Sequence, residues 1–198
     1  MTRALIAAAL VAAAAPLAAG ADTCPTKADV TDGVRLTRID PFFSIVQTQT
    51  PDGLAEARIA VRDGQKDAVS SLYEHPLAVI RRIGANGILE LHYGADTMIL
   101  DTLPAIREWS TTVTLVSGGD TINTGTYTVQ VIGFGEAEIG DCAYDVWRIH
   151  DSLTLDGLAP LRFEKSYAPD LGLVLSSIRL DAQGSPVSGV FFDEIVAE

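Results

Sequence analysis

Short turn signals recur along this chain, with runs of strand-forming residues between them. Asp-Gly or Asn-Gly pairs stand at Asp32-Gly33, Asp52-Gly53, Asp63-Gly64, Asn86-Gly87 and Asp156-Gly157. Such pairs favour two-residue hairpin turns, because both central residues can adopt positive φ. The segments between them are rich in Val, Ile, Thr, Tyr and Phe, which favour strands. The spacing predicts an antiparallel meander of about 10 to 12 strands.

Several of these segments alternate between apolar and polar residues. Leu89, Leu91 and Tyr93 share one face of a predicted strand, and Glu90 and His92 share the other. Such alternation is typical of an antiparallel sheet that is covered on one face. We therefore expect an all-β fold, with a long antiparallel meander curled into an open half-barrel or arranged as two packed sheets.

Helix signals are sparse, so at most one or two short helices are expected. Residues 26–31 are compatible with a short helix before the first strand. Over residues 95–109, Met98 and Leu103 belong to a loose 3.6-residue apolar spacing, which Pro104 interrupts. That segment predicts either a helix or a short strand followed by an extended crossover.

The N-terminus has the organisation of a secretory signal peptide. Arg3 provides the positive charge, residues 4–18 are apolar, and residues 19–21 are small, as a signal peptidase requires. The apolar stretch is shorter than the roughly 20 residues of a membrane-spanning helix. We expect residues 1–21 to be removed, which leaves a single soluble β domain over 22–198 in the periplasm, without a transmembrane segment.

The two cysteines are interpreted in the light of that export. Cys24 and Cys142 are the only cysteines, 118 residues apart. In an oxidising compartment an isolated pair predicts a disulfide, and the alternative is a redox pair or a reactive thiol. Asp22 and Thr23 precede Cys24, whereas lipidation requires a small residue directly before the cysteine. We therefore expect a chain that is not lipidated.

The charge of the chain disfavours anionic partners. Without Arg3, 13 basic residues face 26 acidic ones, and the formal charge is −13. No basic stripe is visible, so nucleic acid is not an expected partner, and anionic lipid surfaces are disfavoured for the same reason. The preference for Arg over Lys, together with the Ala-rich leader, suggests a bacterial gene of high GC content.

No motif in the sequence indicates catalysis. His75, His92 and His150 lack the spacing of metal ligands, and no nucleophile elbow is present. Scattered strand carboxylates such as Asp145 and Asp151 are expected on solvated faces. We predict no catalytic residue, no metal and no cofactor, and an enzyme is less expected than a binding protein.

Four aromatic residues are candidates for lining a concave apolar surface. They are Phe42, Tyr93, Trp147 and Phe163. Aromatic side chains usually fill cores, so the alternative is that these residues are simply part of the core. In an open, curved sheet some of them would instead face a ligand.

The C-terminal third carries a resemblance to a known family. The run Glu164-Lys165-Ser166-Tyr167-Ala168-Pro169-Asp170-Leu171-Gly172-Leu173-Val174-Leu175, preceded by residues 140–147, resembles a strand–turn–strand of uncharacterised bacterial envelope proteins. Those proteins are similar to LolA/LolB-like lipoprotein carriers and to related domains of unknown function. The resemblance implies a half-barrel whose sheet curls around a helix or an apolar ligand. It transfers no functional residue, and the apolar helices of such carriers are hardly visible here.

These observations lead to three functional hypotheses. The first is an exported periplasmic protein that binds an apolar ligand or a lipid-like group in cell-envelope assembly or transport. The second is a structural or protein-interaction module that docks an envelope protein without a small ligand. The third is a hydrolase whose carboxylates are brought together by the fold.

Overall fold

A computed structural model describes residues 24–62 and 64–198. The predicted signal peptide, residues 1–21, lies outside the described residues. Within the described ranges, no helix is long and apolar enough to cross a membrane.

The expected all-β fold is confirmed. The strands are β1 (Val34–Arg38), β2 (Phe43–Thr50), β3 (Gly53–Arg62), β4 (Gln65–His75), β5 (Ala78–Gly84), β6 (Gly87–Tyr93), β7 (Glu108–Ser117), β8 (Asp120–Ile139), β9 (Cys142–Leu155), β10 (Leu161–Ala168), β11 (Leu173–Leu180), β12 (Pro186–Val190) and β13 (Glu194–Ala197). In residues 24–62 and 64–198, helical structure consists of 3-10 turns at Asp29–Thr31 and Thr97–Thr102 and one α-helical turn, α1 (Leu103–Ile106). The predicted helical segments thus contain only short helical turns.

All thirteen strands belong to one antiparallel sheet, in which β1 to β12 follow one another as a meander and β13 pairs with β1. Because β12 is antiparallel to β11 and β13 is antiparallel to β1, β12 and β13 run in the same direction. Only residues 191–193 separate them. The chain therefore passes from one edge of the sheet to the other, and the sheet curls into an open barrel.

The two ends of the barrel differ. At one end, named here the rim end, lie the turns that follow β1, β3, β5, β7, β9 and β11. The opposite end, named the cap end, carries the helical segment 97–106 and the β8–β9 turn. The disulfide between Cys24 and Cys142 is present and attaches the N-terminal segment to the start of β9. The predicted disulfide is thereby confirmed.

The core lies inside the curled sheet as two clusters. One joins β1 to β3 with the cap-end parts of β8 to β11, around Leu36, Ile45 and Leu173. The other lies against β6 to β9 and contains Leu100 and Leu103 of the helical segment, both with no exposed surface. The helical segment therefore closes the second cluster from the cap end.

One expectation about the strand carboxylates is wrong. Asp145 is exposed as expected, but Asp151 is only 4% exposed. Asp151 faces the inside of the barrel, where it forms an ion pair with Lys165 of the neighbouring strand β10. Lys165 shares a face of β10 with Phe163 and Tyr167, and it is paired there with an acidic residue on β9.

Candidate functional site

The wall of the barrel is interrupted between β5 and β6. Their hydrogen-bonded pairing runs from Gly84 and Gly87 to Arg81 and Glu90 and ends there. The rest of β6 pairs only with β7, through Tyr93 and its neighbours. Residues 78–80 and 91–93 therefore face each other without a ladder, and we call this gap the β5–β6 slit.

An irregularity in the neighbouring strand pair explains the slit. Between β4 and β5, Leu72 pairs with Arg81 and Tyr73 pairs with Val79, so Ile80 has no opposite residue. Such a bulge bends the strand that carries it and increases its twist. The bulge lies directly beside Arg81, the residue at which the pairing of β5 with β6 ends.

The slit forms a depression of about 290 Å³. It is lined by Leu72, Glu74, Ile80, Arg81, Glu90, Leu91, His92 and Tyr93. The apolar members form its walls, and Arg81 and Glu90 form an ion pair of 3.5 Å at the point where the strand pairing ends. The volume is near the lower limit of about 300 Å³ for small-molecule pockets, so it suits one small apolar group beside polar side chains.

Tyr93 separates the slit from the interior. Its hydroxyl donates a hydrogen bond of 3.0 Å to the carbonyl oxygen of Val79 and so bridges the two separated strands. Its ring lies 5.5 Å from the ring of Tyr127 and 6.3 Å from that of Trp109. Burial raises the pKa of Tyr93, and the charge of Asp151 raises it further, so the hydroxyl stays protonated at neutral pH.

Behind Tyr93 lies a buried polar group centred on Asp151. The Tyr127 hydroxyl oxygen is 2.6 Å from the carbonyl oxygen of Leu77 and 2.8 Å from Oδ2 of Asp151, so one proton serves two acceptors. Burial, followed by the charge of Asp151, raises the pKa of Tyr127 well above its usual value. The other oxygen of Asp151, Oδ1, is buried without a hydrogen-bond partner among the described residues.

A second polar row crosses the inner face of β2 to β5. Gln47, Glu56, Ser71 and Arg82 pair in succession from strand to strand. Gln47 Nε2 donates to a Glu56 carboxylate oxygen at 3.2 Å, and the Tyr73 hydroxyl donates to the same oxygen at 3.3 Å. Burial raises the pKa of Glu56, although nearby arginines act in the opposite direction. The interior is therefore apolar in its two clusters but polar between them.

The four candidate lining residues do not form one site. Tyr93 lies in the slit, whereas Trp147 is half-buried and packs edge-on against Tyr167, with ring centroids 5.4 Å apart. Phe163 lines a separate depression of about 180 Å³ beside Asp151. Phe42 lies apart from the others, 41% exposed in the β1–β2 turn. Contact of any of these four residues with a ligand stays a prediction.

Reasoning from the sequence missed the other slit residues. Leu72 and Ile80 are residue types that are common in any strand, and the sequence around Ile80 carries no signal of a bulge. The turn residues His75-Pro76 were the nearest available signal, since a proline there ends β4 just before the irregular pairing. The alternation of β6 did identify Leu91 and Tyr93 as neighbours on one face.

The described residues contain no group of three or more His, Cys, Asp or Glu side chains that could hold a metal ion. No family model, curated protein or solved structure matches the chain. The geometry of the β5–β6 slit is therefore the basis on which a function can be inferred.

Proposed function

We propose that this chain is an exported binding protein of the bacterial cell envelope that holds an apolar or lipid-like group in the β5–β6 slit. The observation that supports this most strongly is the slit itself. Strand pairing stops there, apolar side chains line the gap, and the Arg81–Glu90 ion pair lies at its border. A ligand with an apolar part and a polar part matches both features.

The size of the slit limits the ligand. Its volume is about 290 Å³, and the barrel interior behind Tyr93 contains the two side-chain clusters and the polar side chains around Asp151 and Glu56. We infer that the slit takes a single acyl chain end or one apolar side group, with the remainder of the ligand outside the wall. This mode differs from that of a carrier that encloses a complete lipid.

The location in the periplasm is part of the same proposal. A disulfide between Cys24 and Cys142 supports it, because disulfides form and persist in oxidising compartments such as the bacterial periplasm. Transport or assembly of envelope lipids would place an apolar ligand within reach of the slit.

Titration with a fluorescent fatty acid, dansyl-undecanoic acid, tests the proposal. Ile80→Asp places a charge on the apolar wall of the slit, and we expect it to weaken binding at least about tenfold, as burying an unpaired charge is costly. Ile59→Asp is the matched control, since Ile59 is also a half-buried strand isoleucine but lies on β3, outside the slit.

The control should bind the probe within about twofold of the unchanged protein. Circular dichroism establishes that each variant keeps its β structure. Equal probe binding by folded Ile80→Asp and by the unchanged protein would refute a ligand site at the slit. A failure of the unchanged protein to bind the probe would also refute it and would favour the protein-interaction role.

A further inference from the structure

Two side chains of β6 belong both to the slit and to the core. Leu91 and Tyr93 share one face of β6, and both line the slit. Leu91 is 9% exposed and is a member of the second core cluster, and the half-buried Tyr93 packs against that cluster. The slit is therefore bounded on its inner side by residues that also pack in the core.

Tyr93 crosses the gap between the two strands. It starts on β6, and its hydroxyl donates to the carbonyl oxygen of Val79 on β5 at 3.0 Å. No strand ladder joins residues 78–80 to residues 91–93. A side chain that reaches from one strand to the other must pass beneath the opening between them, so the ring of Tyr93 lies at the bottom of the slit.

Other aromatic rings lie directly behind Tyr93. Its ring is 5.5 Å from that of Tyr127 and 6.3 Å from that of Trp109, and these two rings are 6.4 Å apart. Tyr127 and Trp109 are 6% and 8% exposed. Removal of the Tyr93 ring would leave a space bounded by two aromatic rings and continuous with the slit. Apolar spaces of this kind take up apolar groups in preference to water.

A buried charge limits any greater depth. The Tyr127 hydroxyl lies 2.8 Å from the carboxylate of Asp151, whose other oxygen is buried without a hydrogen-bond partner among the described residues. An apolar chain that reached this carboxylate would gain no hydrogen bond and would keep water from it, which is unfavourable. The rings of Tyr127 and Trp109 are therefore the deepest level open to an apolar group.

We propose that the ring of Tyr93 sets the depth of the β5–β6 slit and so makes the slit selective for amphiphiles with a short apolar end. This inference rests on the proposed binding of an apolar group in the slit, and it adds the residue that limits the length of that group. A chain longer than the slit leaves its further methylenes in water, where they contribute nothing to affinity. A small residue in place of Tyr93 extends the slit inward as far as Tyr127 and Trp109.

A series of saturated fatty acids of increasing chain length tests the proposal. Each acid is used to displace dansyl-undecanoic acid, and affinity is followed as a function of chain length. For the unchanged protein, affinity should rise about fourfold per methylene while the chain fills the slit, and then reach a plateau. Tyr93→Ala should move the plateau to longer chains. Beyond the original plateau it should bind at least about tenfold more tightly than the unchanged protein, as about two further buried methylenes would give.

Two further variants separate the ring from the hydroxyl. Tyr93→Phe keeps the ring and loses the hydrogen bond to Val79, so it should keep the plateau of the unchanged protein. Tyr93→Leu is smaller than the ring but preserves apolar packing, and it should move the plateau in the same direction as Tyr93→Ala by a smaller amount. It also provides the test if circular dichroism shows that Tyr93→Ala does not fold.

The matched control is Tyr144→Ala. Tyr144 is likewise a half-buried strand tyrosine whose hydroxyl donates to a backbone carbonyl, that of Pro25, at 3.0 Å. It packs against the first core cluster and does not line the slit. The control should therefore show the same chain-length dependence as the unchanged protein.

The outcomes separate this inference from the proposal on which it rests. An unaltered plateau in the folded Tyr93 variants Tyr93→Ala and Tyr93→Leu, or an equal shift in Tyr144→Ala, would overturn the role of Tyr93 and leave binding in the slit intact. Affinity that keeps rising along the series for the unchanged protein would also overturn it, because the ring would then not be the floor. Failure of the unchanged protein to bind any of the acids would overturn both proposals.

Discussion

At the scale of single residues, the ion pair between Asp151 and Lys165 lies largely inside the barrel. The Asp151 side chain is 3% exposed and that of Lys165 is 19% exposed, so both charges lie largely out of water. The Tyr127 hydroxyl provides a further hydrogen bond to the carboxylate. A buried charge is tolerated when it is paired and hydrogen-bonded, and removal of one partner leaves the other uncompensated.

Lys165→Met should therefore destabilise the fold by about 3 kcal/mol, because it leaves the Asp151 carboxylate buried without a counter-ion. Urea unfolding followed by circular dichroism measures this change. The double variant Asp151→Asn/Lys165→Met should recover part of the loss, since it removes both charges. If the double variant is less stable than Lys165→Met, the account of the pair is incorrect.

At the scale of elements, the helical segment 97–106 is attached to β4 by two side-chain contacts. The Thr97 hydroxyl donates to Glu74 at 2.8 Å, and His75 Nε2 lies 3.4 Å from Asp101 Oδ1. His75 itself is 1% exposed, and its Nδ1 accepts a hydrogen bond from the amide of Leu77. Burial lowers the pKa of His75 below 6.5, although Asp101 acts in the opposite direction.

This lowered pKa predicts a loss of stability in mild acid. Below about pH 6.5 the unfolded chain takes up a proton on His75 that the folded chain does not, so unfolding becomes easier until the folded pKa is reached. One such group changes the free energy of unfolding by at most about 1.4 kcal/mol per pH unit.

Urea unfolding between pH 7.5 and pH 5 measures that slope. His75→Gln should flatten it, whereas His92→Gln should not, because His92 is exposed. Identical pH profiles for His75→Gln and the unchanged protein would contradict the assignment.

Much of the element structure could be predicted from the sequence, because it depends on local rules. Asp-Gly and Asn-Gly pairs mark several turns, and the alternation of Leu89, Leu91 and Tyr93 predicts the inward face of β6. The slit could not be predicted, because it depends on the register between strands. Ile80 forms a bulge only in relation to its partners on β4.

At the scale of the whole molecule, contacts between residues distant in sequence hold the curled sheet together. The chain passes from β12 to β13 across the gap between the sheet edges, where Asp193 contacts both Thr37 and Ile39 of the β1 end. The disulfide between Cys24 and Cys142 attaches the N-terminal segment to the β8–β9 hairpin. The strand pattern predicted a meander, but this edge-to-edge passage depends on contacts between residues that are distant in sequence.

Removal of the disulfide should lower the free energy of unfolding substantially. The bond closes a loop of 118 residues, for which chain-entropy models give about 4 to 5 kcal/mol. Cys24→Ser/Cys142→Ser, compared with the oxidised protein by urea unfolding, measures the effect. A change below about 1 kcal/mol would show that the unfolded chain is not appreciably restrained by the bond.

The central claim, that the β5–β6 slit holds an apolar group, is tested most directly by native mass spectrometry of the exported protein, followed by solvent extraction of what is bound. We predict that an acyl or other apolar species accompanies the unchanged protein and Ile59→Asp, and that Ile80→Asp carries none. A bare mass for the unchanged protein, or the same species on Ile80→Asp, would contradict the claim.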